Sequence, residues 1–140
     1  MPHRKAHIRP VRSDDEPILF GIAQMTFGDE LGWSDRRTLA VLSDERVFVA
    51  EVDEKVAGFV ALEPRGPAVV IDHLLVAAGH EGEGIGHQLL AWAEGWAISS
   101  GAHSLHVTVE EGNARALDFY RRCGFTASDR GDLELILPQE

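Results

Sequence analysis

Val69–Gly101 reads VVIDHLLVAAGHEGEGIGHQLLAWAEGWAISSG, and the fold turns on this stretch. Its apolar opening, Val69 to Val76, predicts a buried strand. Gly79, Gly82, Gly84 and Gly86 then crowd a turn, and from Ile85 to Ser99 the residues Ile85, Leu89, Leu90, Ala93, Trp96 and Ala97 share one face of a helix that accommodates Gly95. A strand, a glycine turn and a helix start together aim backbone N–H groups at an anion such as phosphate. The same glycines serve equally well in a simple tight turn. The spacing is no dinucleotide fingerprint, because counting from Gly82 puts His87 at the third glycine, and it lacks the Lys-Ser/Thr of a P-loop. His80-Glu81 opens no zinc-protease motif, since Gly84 stands where the second His belongs.

Upstream, His7 to Val11 alternates as a first strand, with Pro10 suited to an edge. Ser13, Asp14 and Asp15 offer N-caps and Pro17 fits the first turn of a helix carrying Ile18, Leu19, Ile22, Met25 and Phe27, closed by Gly28. An acidic loop, Gly28 to Trp33, leads to a second helix capped by Ser34 or Asp35, with Leu39, Val41 and Leu42 as its apolar residues. Trp33 reads as a hydrophobic staple ahead of that cap or as a wall of a substrate pocket. Val47–Val52 and Val56–Leu62 form a hairpin around Asp53-Glu54-Lys55, and Pro64, Gly66 and Pro67 turn the chain into the opening strand.

Downstream, Gly101 ends the helix, and Leu105, Val107 and Val109 alternate with His106 and Thr108 in a half-buried strand. Asn113 caps a short helix to Arg122, and Gly124 stops it. Phe125–Ser128 and Leu133–Leu137 pair around Asp129-Arg130-Gly131. The order β α α β β β α β α β β predicts an α/β (α+β) fold: one mixed sheet of six or seven strands with helices on both faces.

At 140 residues the chain is sized for one domain, residues 1–140. Hydrophobic residues at 44% and charged residues at 26% are ordinary for a globular protein, and the apolar stretch Ala68–Ala78 is too short to span a bilayer. The basic residues Arg4, Lys5, Arg9 and Arg12 precede no apolar core of a signal peptide. A formal charge of −10 disfavours nucleic acid and favours cationic ligands, or else serves solubility alone. The single cysteine, Cys123, makes no internal disulfide and points to a reducing cytoplasm.

The second decisive stretch is Asn113–Phe125, NARALDFYRRCGF. With it the chain resembles the GNAT family of acetyl-CoA-dependent N-acetyltransferases. Val76 through the glycines to Leu89-Leu90 is similar to the family's cofactor motif, Val-x-Pro-x-x-Arg-x-x-Gly-x-Gly followed by a helix. Asn113, Ala116, Tyr120, Gly124 and Phe125 match its second motif. The resemblance covers nearly the whole chain and implies a single domain with a mostly antiparallel sheet. It implies acetyl-CoA as co-substrate, an amine as acceptor, no metal, and transfer by direct attack. Backbone groups of Leu74, Leu75 and Val76 would pair with the pantetheine arm like an added strand. Glu81, Gly82, Glu83, Gly84, Ile85, Gly86 and His87 would surround the pyrophosphate, held by backbone N–H groups and the helix dipole. Asn113 would hydrogen-bond pantetheine, and Tyr120 would protonate the departing thiolate, its rival role being a core aromatic.

Glu81 and Glu83 depart from the family, which carries Arg or Gln at the first position and often a base at the second. Two screened carboxylates cost pyrophosphate binding about 1 kcal/mol each. Ala78 stands where the motif has proline. Asp72, interrupting an apolar strand, is the candidate base for the amine, or pairs structurally with a neighbour; His73, Glu51 and Glu63 rank behind it. Thr108 occupies the place of the base used by the ribosomal N-terminal branch and cannot serve. His80, His103 and His106 read as solvated, and Cys123 as packing. Asp29 and Glu30 beside Trp33 suggest a cationic acceptor, near the Gly28–Trp33 loop and the final hairpin. Pairing of last strands into a homodimer is common among proteins of this kind, and the expected partners include neither nucleic acid nor membrane. Two other readings remain open: a catalytically weak acyl-CoA sensor of the same fold, and a non-catalytic partner-binding α/β domain.

Overall fold

The computed structural model describes residues 5–27, 46–109 and 112–138. The loop expected over Gly28–Trp33 and the helix expected around Leu39–Leu42 lie outside the described residues. Strand β1 (His7–Pro10) leads through a 3-10 turn (Ser13–Asp15) into helix α1 (Glu16–Phe27). Strands β2 (Val47–Val52), β3 (Lys55–Arg65) and β4 (Ala68–Val76) follow, then α2 (Ile85–Ser99) and β5 (Ser104–Val107). Helix α3 (Ala114–Arg122), β6 (Thr126–Ala127) and β7 (Leu133–Ile136) complete the order. The strands form one seven-stranded sheet in the order β1-β2-β3-β4-β5-β7-β6. β1–β2, β2–β3, β5–β7 and β6–β7 are antiparallel, and β4–β5 is parallel, so the sheet is mixed as expected.

The differences from expectation are local. Asp53 and Glu54 alone make the β2–β3 turn, with φ of 52° and 66°, and Lys55 already pairs with Val52. A two-residue loop with both centres left-handed matches the strand twist. Pro64 lies inside β3, not in the turn. It is tolerated because the β2 ladder ends at Val47↔Ala61, so its missing N–H falls beyond that pairing.

The chain groups into two compact units, residues 1–62 with 73–93, and residues 63–72 with 94–140. In the first, Leu19 and Ile22 of α1 pack with Val47, Val49, Phe59 and Ala61, and Leu75 and Ala77 lie against this cluster. Helix α2 buries Ile85, Leu89, Leu90 and Ala93, while Trp92 covers Phe48 with ring centroids 5.4 Å apart. Arg9, buried, donates Nη1 and Nη2 to the two oxygens of Asp15 at 2.7 and 2.9 Å and pairs with Glu51 through Nε. Asp15 also accepts the Arg12 N–H at 2.7 Å. The second unit buries Val69, Ile71, Leu105, Val107, Tyr120, Phe125 and Leu133.

Candidate functional site

The glycine turn grows out of β4 as its spacing dictates. The His80 N–H bonds the Ala77 carbonyl at 3.1 Å, and Gly79, Gly82 and Gly84 take φ of 91°, 79° and 81°. Side chains rarely adopt those angles, so glycine is required at these positions. Inside α2 the Gln88 N–H bonds the Gly84 carbonyl at 3.2 Å, which makes Ile85–His87 the first turn, whose donors point past the helix end. Gln88 Oε1 accepts the Ala6 N–H at 2.8 Å and anchors that end. Ile85 is a core residue, so only its backbone can face a ligand; Gly86 is half-buried and His87 exposed.

The two carboxylates of the turn differ in kind. Glu81 is exposed and its Oε2 accepts the Gly79 N–H at 2.9 Å, bracing the turn. Glu83 is buried, with Oε1 2.8 Å from His80 Nδ1. The two atoms are close but out of line, and His80 Nδ1 makes no hydrogen bond among the described residues. The screened-charge cost of about 1 kcal/mol therefore applies to Glu81 and not to Glu83, whose side chain folds back into the turn.

Strand β4 runs on to Val76, whereas its ladder with β5 ends at Ile71↔Val107. Leu74, Leu75 and Val76 are half-buried in this extension. Gly58 of β3 lies hard against it: a Cβ there would meet the Leu75 carbonyl oxygen at 2.6 Å, Leu89 Cδ1 at 3.2 Å and Val76 Cα at 3.3 Å. Sequence reasoning missed Gly58, although a glycine inside the β-rich run VAGFVAL signals close backbone approach.

The remaining candidates belong to the second unit. Asp72 is exposed, since alternation along β4 sets it opposite the buried Val69 and Ile71, so its expected burial is wrong. Asn113 is exposed and caps α3, its Oδ1 accepting the Ala116 N–H at 3.1 Å. Tyr120, one side of that helix's buried edge, is 7% exposed and packs edge-on against Phe119 and Phe125, with centroids at 5.1 and 5.3 Å. Burial, reinforced by the Cys123 sulfur, pushes its phenol above the ordinary value of 10, so the hydroxyl keeps its proton across the physiological range. Burial, and then Glu94, also pushes the Cys123 thiol up, as suits a packing residue.

Among the weaker base candidates, Glu51 is held by Arg9, and Glu63 pairs with Arg65 at 3.0 Å. His103 is exposed as expected, but His106 is not a solvated histidine: its side chain is 13% exposed and hydrogen-bonded on both ring nitrogens. Among the described residues no group of three or more His, Cys, Asp or Glu is arranged to hold a metal ion, and no helix is long and apolar enough to cross a membrane.

Residues 9–125 match the acetyltransferase (GNAT) family. The chain is 40% identical over 86 residues to a streptothricin acetyltransferase of Streptomyces lavendulae, covering 59% of this chain and 46% of that protein. It is 29% identical over 84 residues to a streptothricin acetyltransferase of Escherichia coli, covering 59% and 48%. The chain thus spans about half the length of the curated relatives it matches. In structure it is similar to the PaiA N-acetyltransferase of Thermoplasma acidophilum, solved in complex with coenzyme A, with a TM-score of 0.79, 21% identity, and 94% and 99% of the two chains covered.

Proposed function

The chain belongs to the acetyltransferase (GNAT) family, and from that premise we propose that it transfers the acetyl group of acetyl-CoA to a primary amine. The observation that carries this reading is the turn itself: left-handed glycines at 79, 82 and 84 running into the first turn of α2. Such a turn presents backbone donors and a positive helix end to the pyrophosphate, at the N–H groups of residues 82–87. The overhang of β4 past its ladder with β5 supports pairing of Leu74–Val76 with the pantetheine amides. Because Asn113 Oδ1 already caps α3, its contact with pantetheine falls to the Nδ2 donor.

In the reaction the neutral amine attacks the thioester carbonyl, a C–N bond forms, and the C–S bond breaks. Tyr120 gives its proton to the departing thiolate, a role suited to a phenol held protonated by burial. Asp72, exposed on β4, is proposed to take the proton from the amine, directly or through water. The net charge of −10 supports a cationic acceptor. Streptothricin, for which the matched relatives are named, is the first acceptor to assay. We place the protein in a reducing cytoplasm on its single cysteine, and propose a homodimer through the last strands.

The test is thiol release from acetyl-CoA against streptothricin, polyamines and peptide amines. Release with stoichiometric N-acetylated product supports the enzyme. A second reading, an acyl-CoA sensor, is favoured by the carboxylates of Glu81 and Glu83 in the turn. Acetyl-CoA binding without turnover on any acceptor would select it.

A further inference from the structure

Strand β5 alternates, so Ser104 and His106 share one face while Leu105 and Val107 are buried on the other. The antiparallel register with β7 sets Glu134 opposite His106 and Ile136 opposite Ser104. Asp132, two residues before Glu134, falls on the same face. The side chains meet in series: Ser104 Oγ lies 2.9 Å from His106 Nε2, and His106 Nδ1 lies 3.2 Å from Asp132 Oδ2. Asp132 is itself fixed, accepting the Ser128 hydroxyl at Oδ1 and the Ser128 N–H at its backbone carbonyl at 2.9 Å.

A carboxylate only accepts, so Nδ1 carries the hydrogen toward Asp132; in the neutral ring Nε2 is then the acceptor, to which Ser104 donates. Hydroxyl, imidazole and orienting carboxylate then stand in the order that activates a serine for acyl transfer. Glu134 Oε2, 3.9 Å from Nε2, adds a negative charge beside the imidazolium that forms when the serine proton moves. Ser104 is half-buried, and its register partner Ile136 is 70% exposed, an apolar surface for an acyl or aryl group.

We propose that Ser104 is a second acyl acceptor of this protein, a nucleophile activated by His106 and Asp132 that takes an acyl group from an activated ester. Ser104 Oγ bonds to the carbonyl carbon, the ester C–O bond breaks, the alkoxide or phenolate leaves, and the serine proton passes to His106 Nε2 and then to solvent. Because β5 is paired with β4 on one side and β7 on the other, its amides are committed to the ladders and form no oxyanion hole at Ser104. Without that hole both acylation and hydrolysis are slow, so reaction is confined to activated esters, and the acetyl-serine formed, itself an ordinary alkyl ester, outlasts the measurement.

The proposal does not depend on the amine-acetylating activity and is tested apart from it. The full chain is incubated with p-nitrophenyl acetate and followed by intact mass and peptide mapping. The expected result is one acetyl group on Ser104, absent in Ser104→Ala and formed at least ~10-fold more slowly in His106→Gln and in Asp132→Asn. Circular dichroism checks that each variant is folded, and the two independent relay variants guard against loss of one. Acetylation spread over other residues, or an unchanged rate in both relay variants, overturns the proposal. Thiol release with acetyl-CoA and an amine, measured on Ser104→Ala, stays at the wild-type level whichever way the labelling falls.

Discussion

Glu81 brings a negative charge to the turn proposed to hold a pyrophosphate, yet its contribution to the turn is one exposed bond to the Gly79 N–H. An exposed bond of that kind is worth about 1 kcal/mol, and reversing a screened charge beside a polyanion is worth about 1–2 kcal/mol. Glu81→Arg should therefore tighten acetyl-CoA, roughly 5-fold, by calorimetric titration; an unchanged or weaker Kd would count against a pyrophosphate at this turn. Glu83 is the poorer target, because its buried side chain is folded against His80. At Tyr120 the test is kinetic. Tyr120→Phe should lower kcat about 100-fold with acetyl-CoA binding intact. Because burial raises the phenol above 10, no loss of activity from its ionisation is expected as pH rises to 10. Turnover indifferent to Tyr120→Phe would leave Tyr120 a core aromatic.

Among the elements, β3 matters to the site through one residue. A methyl group at Gly58 would sit 2.6 Å from the Leu75 carbonyl oxygen, inside any allowed contact. Gly58→Ala should destabilise the fold by about 1–3 kcal/mol in urea titration and weaken acetyl-CoA binding, because the displaced backbone is that of Leu74–Val76. Wild-type stability and affinity in that variant would mean that β4 does not bear on the ligand. The start of α1 depends on Arg9. Its hydrogen bonds to Asp15 hold that carboxyl below the ordinary 3.8, so the pair's stabilisation is fully present above that pH and is lost as pH falls through the lowered value. Asp15→Asn should flatten the acid limb of a stability profile below about pH 4, and Arg9→Ala should cost about 3–5 kcal/mol by stranding a buried carboxylate. The elements themselves were legible because their periodicity and glycines are local: α2 spans Ile85–Ser99 and α3 follows Asn113 as read. Asp72 was misread because an apolar run does not show which way one residue points. The Arg9 network and the Ser104–His106–Asp132 series escaped because each is completed by a distant residue, Glu51 standing 42 residues from Arg9 and Asp132 standing 26 from His106.

At the scale of the molecule, the seven-stranded mixed sheet and family membership agree with the expectation formed from two motifs, Val76–Leu90 and Asn113–Phe125. The acceptor was not legible, because the loop expected to receive it carries no motif of its own and the charge of −10 selects only a sign. That charge predicts that cationic amines outcompete neutral ones at low salt and lose the advantage as ionic strength rises. The most direct test of the central reading is a crystal structure with acetyl-CoA bound. The pyrophosphate oxygens should lie within about 3 Å of the backbone N–H groups of residues 82–87, at the start of α2. A pyrophosphate bound elsewhere, with the turn unchanged and clear of ligand at saturating acetyl-CoA, would contradict it.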